Sequence, residues 1–106
     1  MTTKKRLYDF LNGKKIVSEK YSGHLVIKQY YEGRIAIQAV CDDGTPLAVL
    51  TVNIPDEKIK RNEIIVKAWS ENERIAQDML KTGWFKDTGR RIPTGFVEAQ
   101  VWEVTP

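Results

Sequence analysis

The segment "RIAIQAVCDDGTPLAVLTVNI", from Arg34 to Ile54, restricts the fold more than any other part of the chain. Apolar residues alternate with period two on both sides of Asp43-Gly44, a pair suited to the positive φ angles of a two-residue type I′ hairpin turn. Counting outward from that turn opposes Ala39 to Ala48, Ile37 to Leu50 and Ile35 to Val52, so one face is almost wholly apolar and must be buried. The reverse face pairs Ala36 with Thr51 and Gln38 with Val49, a mixture suited to partial exposure.

The same period governs the run from Gly23 to Pro55 and tests the register of the strand before the hairpin, "HLVIKQY". A two-residue turn at Glu32-Gly33 would set Ile37 against Lys28. A three-residue turn of Tyr31, Glu32 and Gly33, with the glycine left-handed, instead sets Ile27 against Ile37 and Leu25 against Ala39, which keeps the core face apolar. Val26, Lys28 and Tyr30 then lie on the outer face. A fourth strand, "EIIVKAW" (Glu63 to Trp69), follows the charged loop "PDEKIKRN", and a last strand, "GFVEAQVWEV" (Gly95 to Val104), closes the chain.

Between those strands the period changes. In "SENERIAQDMLK", Ile75, Ala76, Met79 and Leu80 form one helical stripe, with Arg74 and Asp78 as an i, i+4 pair on the wet side. Ser70 and Glu73 have capping-box spacing, Glu71 and Glu73 place negative charge at the positive end of the helix dipole, and Gly83 stops the run. The spacing therefore predicts a helix over Ser70 to Lys81 that covers the sheet. Near the amino terminus Leu7, Phe10 and Leu11 predict a short amphipathic helix, with Thr2 or Thr3 as cap and Gly13 as stop.

The chain has 106 residues and 42% hydrophobic content, enough for one core burying roughly two-thirds of the unfolded surface and too little for two ordinary domains. The expected fold is a single α+β domain over residues 1–106. It comprises a mostly antiparallel, curved sheet of about five strands, one helix packed on one face and a short amino-terminal helix. No apolar run approaches the length of a membrane span, and Cys41 is the one cysteine, so a reducing, cytoplasmic setting and no disulfide are expected. The edge-like "FVEAQVW" leaves monomer and homodimer both open.

The inventory for catalysis is thin. His24 is the one histidine, with no paired nucleophile or carboxylate in its neighbourhood, and Cys41 continues the core parity of Ile35, Ile37 and Ala39, where a thiol is usually inert. Asp42 and Asp43 serve turn chemistry rather than a metal site, which would need more oxygen ligands. No HExxH, GxSxG, GxGxxG or P-loop pattern occurs. No enzyme activity, metal or cofactor is expected.

Binding candidates remain in "WFKDTGRRIPTGF", read as a loop or short hairpin, where Trp84, Phe85, Lys86, Arg90 and Arg91 mix aromatic and basic groups. Such a mixture serves protein hot spots, or phosphate pairing with base stacking. The competing explanation is that Trp84 and Phe85 fold back to plug the core. The loop "DEKIKRNE" nearly cancels its own charge and reads as a solvated connection. A formal net charge of +3 and a pI near 9.0 permit an acidic partner without demanding one. Lys4, Lys5, Arg6, Lys14 and Lys15 would extend a basic surface if they converged with Arg90 and Arg91.

The stretches "GRIAIQAVCDDGTPLAVLTVNIP", "VKAWSENE" and "TGRRIPTGFVEAQVWEV" resemble a family of small uncharacterised bacterial proteins associated with phages and conjugative elements, over about Tyr21 to Val104. That resemblance implies a bacterial accessory protein of a mobile element and carries over no functional residue. Two functions follow as expectations. One is a non-enzymatic protein-interaction module using Trp84, Phe85 and the outer sheet face of Val26, Tyr30 and Val49. The other is a nucleic-acid-binding accessory using Arg90, Arg91 and the amino-terminal lysines.

Overall fold

A computed structural model describes residues 3–31 and 33–106. The expected cap Thr2 and the turn residue Glu32 lie outside these, as do the side chains of Thr3 and Lys4. Among the described residues the chain forms α1 (Thr3–Leu11), β1 (Lys15–Val17), β2 (Ser22–Gln29), β3 (Ile35–Cys41), β4 (Pro46–Val49) and β5 (Glu63–Val66). A 3-10 turn (Ser70–Asn72), α2 (Glu73–Lys81), β6 (Phe85–Thr94) and β7 (Val97–Val104) follow. The α+β class holds, but the strands form two antiparallel sheets, ordered β1-β2-β3-β4 and β5-β7-β6, rather than one sheet of about five.

The core-forming register is the expected one. Leu25 opposes Ala39 and Ile27 opposes Ile37, while Gly33 at φ 90° donates its N–H to Tyr30 O to close the turn. Ala39 opposes Ala48, as counted from the sequence, but for a different reason. Asp43 has no positive φ, and the turn spans three residues: the Gly44 N–H donates to Cys41 O, the Cys41 N–H donates to Thr45 O, and Gly44 is left-handed. The extra turn residue moves Val40 opposite Pro46, and a bulge at Leu47 restores the original parity. Two departures from ideality cancel.

One core draws on both sheets and both helices. Leu7 and Leu11 of α1, Leu25 and Ile27 of β2, Ile37 and Ala39 of β3, and Leu50 meet Ile75, Ala76 and Met79 of α2. Ile64, Val66, Phe85, Trp102 and Val104 of the second sheet join them. Each fully buried aliphatic side chain contributes about 1.5 to 3 kcal/mol, so α2 is held by its stripe more than by its ends. The other face of the second sheet carries Ile65, Ile92, Ala99 and Val101, covered by Val52, Ile54, Ile59 and Trp69.

Four expectations need correction. The capping box is absent: Ser70 has φ 55°, and Asn72 precedes α2 without a side-chain cap. Asn72 is instead buried, its Nδ2 donating to Val49 O at 2.7 Å and Lys67 O at 3.1 Å. Asp78 is met by the Tyr21 phenol rather than by Arg74. Residues 85–94, expected as a loop or short hairpin, form a ten-residue strand paired antiparallel with β7. Finally, β7 lies between β5 and β6, so "FVEAQVW" has no free edge with which to pair a second copy.

Candidate functional site

The residues singled out from the sequence are engaged in packing and in ion pairs. Phe85 is buried, 5% exposed, and packs its ring against Trp102 with centroids 5.6 Å apart. Trp84 is half-buried on the same cluster, with Lys14 Nζ 5.7 Å from its ring centre. Phe85 therefore plugs the core, with Trp84 half-buried against the same cluster. Arg91 donates two hydrogen bonds to the Asp87 carboxylate, 2.9 and 2.8 Å, which holds that carboxyl below its usual range and raises the guanidinium's own pKa. Arg90 donates to Glu57 Oε2 at 2.8 Å and to Lys58 O at 2.5 Å. Two basic residues of the expected patch are thus tied to carboxylates.

The turn residues are also accounted for. Asp42 accepts from Lys15 Nζ and Ser22 Oγ, both at 2.6 Å. These bonds, Lys15 first, lower its pKa. Asp43 accepts the Thr45 N–H at 2.9 Å, which lowers its pKa as well. Cys41 is half-buried at the end of β3 rather than in the core. His24 is half-buried on the outer face, with Lys15 and Val40 as cross-strand neighbours.

Two surfaces stand out. The first is the outer face of the four-stranded sheet, where Val26, Ala36, Gln38 and Val40 are half-buried beside Val17, 72% exposed, and Val49, 51% exposed. Both helices bury their apolar stripes in the core that the inner face of this sheet lines. Gln38, between Val26 and Val49, and His24, between Lys15 and Val40, are the polar residues inside the face, and Lys15 and Lys28 are exposed on it.

The second surface is a groove around Ile59, in the loop read as a solvated connection. Gly33, Arg34, Lys60 and Arg61 line one lobe of about 160 Å³. Lys58, Thr88 and Arg90 line another of about 470 Å³, and the two meet at Ile59, Lys60 and Glu63. Arg34 reaches across from the β2–β3 turn and donates to Ile54 O at 2.8 Å and to Glu57 O. The sequence signal for this site is Ile59 itself: an isoleucine alone among charged loop residues anchors the loop in the second core cluster.

No family model matches the chain, and no curated protein or solved structure matches it. Among the described residues no helix is long and apolar enough to cross a membrane.

Proposed function

We propose that this chain is a non-enzymatic protein-interaction module whose working surface is the outer face of the four-stranded sheet. The context we propose, from the resemblance of its hairpin and carboxy-terminal segments, is an accessory of a bacterial mobile element acting in the cytoplasm. The observation that carries the interaction reading is the asymmetry of that sheet. Its inner face is buried in the core, while its outer face keeps Val17 and Val49 in solvent beside half-buried Val26, Ala36 and Val40. Apolar side chains left on one uncovered face, interspersed with Gln38 and His24, make a mixed surface suited to meeting a partner.

Trp84 and Phe85 drop out of the interaction surface because they are spent on packing, whereas Val26 and Val49 remain in it. Tyr30 contributes its ring, with its hydroxyl engaged by Thr51 Oγ1 at 2.9 Å. A photo-crosslinking residue in place of Val17 or Val49 is expected to capture a protein partner in the bacterial host, whereas one in place of exposed Lys81 or Lys86 captures none. Equal capture at all four positions would remove the reading.

A further inference from the structure

We infer that the groove around Ile59 binds the phosphate backbone of a single-stranded nucleic acid, with Tyr31 as a stacking platform at its mouth. This site does not include Val17, Val26 or Val49 of the sheet face proposed above, and Tyr30 is the one residue of that face that borders the cavity around Ile59.

The first argument is preorganisation. The backbone of the loop is pinned at Ile54 and Glu57 by Arg34 and at Lys58 by Arg90. The Lys60 N–H donates to Glu63 Oε1 at 2.7 Å, and Ile59 is anchored in the second core cluster. Lys58, Lys60 and Arg61 are exposed on this fixed frame, so little further ordering is needed before they meet an anion.

The second argument is charge. Five cationic side chains line the two lobes against one carboxylate, that of Glu63. Arg90 is neutralised by Glu57, but Arg34 is held by carbonyl oxygens and keeps its full charge. The whole chain carries only +3, so this groove concentrates positive charge that the rest of the chain largely balances.

The third argument is shape and the aromatic group. The two lobes lie either side of the Ile59–Lys60 junction, which suits an elongated anion with repeated charges rather than one compact phosphate. Tyr31 is fully exposed in the β2–β3 turn, two residues from Gly33 of the groove. An exposed ring on the same turn as Gly33 and Arg34 of the groove is a group on which unpaired bases can stack, and it adds affinity without demanding a sequence. A polyglutamate chain has no aromatic ring to place on it, and a duplex keeps its bases stacked on one another.

Fluorescence anisotropy of the full chain with labelled oligothymidine of roughly 20 nucleotides tests this directly. Binding is expected at low salt, weakening steeply between about 50 and 200 mM. Lys60→Gln with Arg61→Gln is expected to weaken it roughly tenfold and to flatten the log-log salt slope by about 1.4, two phosphate contacts on a single strand. Tyr31→Ala weakens binding without changing that slope. Lys81→Gln with Lys86→Gln, exposed elsewhere, changes it less than about twofold. No binding at low salt, equal losses from the two double variants, tighter binding of a duplex of the same length, or preference for polyglutamate would each overturn the inference. Because these substitutions lie off the sheet face, crosslinking through Val17 and Val49 reports separately on the protein partner.

Discussion

The Tyr21 hydroxyl donates a hydrogen bond to Asp78 Oδ2 at 2.6 Å, tying the segment between β1 and β2 to helix α2 across 57 positions of sequence. Burial of the phenol, and then its bond to the carboxylate, pushes the Tyr21 pKa up to about 12. The protonated phenol is the form that the fold favours.

The sign of the pH effect follows. A phenol whose pKa is raised on folding stabilises the fold fully below its ordinary value of about 10, and that stability fades as pH rises toward the raised value. In wild type, Tyr21 is expected to develop phenolate absorbance only as the pH approaches about 12. Tyr21→Phe removes that late step and costs about 1 to 2 kcal/mol at neutral pH, measured by urea unfolding. A phenolate titration unchanged by the substitution would contradict the contact.

Ser70 does not fill the capping role that its sequence position suggests, and Asn72 works from inside the core. Ser70 sits at φ 55° and caps nothing, so Ser70→Gly should hold stability or raise it by up to about 1 kcal/mol. Asn72 joins two carbonyl oxygens from inside the core, so Asn72→Ala should cost about 1 to 3 kcal/mol by leaving buried carbonyls without donors. Chemical denaturation of both variants checks the order. A larger loss at Ser70 than at Asn72 would restore the capping box.

The Asp87–Arg91 pair closes a bulge in β6, where four steps along the strand oppose two along β7. The same bulge is fastened by Thr88 Oγ1 donating to Val101 O at 2.7 Å and by the Gly89 N–H on Asp87. The Asp87 carboxyl is held below its usual range, first by Arg91. Its contribution is therefore present above pH of about 4 and lost as pH falls below that value. Because Arg91 is partly exposed, the effect is under about 1 kcal/mol. Asp87→Asn should flatten the acid limb of stability against pH by that amount, with little change in the alkaline limb.

Where side-chain parity alone decided the outcome, the sequence was readable. Leu25, Ile27, Ile37 and Ala39 had one arrangement that kept them on a common face, and the three-residue turn at Gly33 followed from it. The Asp43-Gly44 turn was misread in type yet right in pairing, because the Leu47 bulge cancelled the added turn residue. Strand β6 was hidden by its own bulge: "KDTGRR" interrupts the alternation between Phe85 and Ile92 and looks like a loop. Long-range partners were illegible as well. Nothing near Asn72 announces Val49, and nothing near Arg34 announces Ile54 and Glu57. The candidate surfaces depend on such pairings: the sequence presents Arg90 and Arg91 as available cations, whereas Glu57 and Asp87 lie beside them in the fold.

The central claim is that the outer face of the four-stranded sheet serves binding and not folding, and Val26→Glu with Val49→Glu tests it most directly. Thermal unfolding and partner capture through a crosslinker in place of Val17 should be measured on the same preparation. The account predicts unfolding within about 0.5 kcal/mol of wild type for Val49→Glu at its exposed position, a loss of no more than about 2 kcal/mol for Val26→Glu at its half-buried one, and loss of the partner in both. A large loss of stability, or an undiminished crosslink, would contradict it.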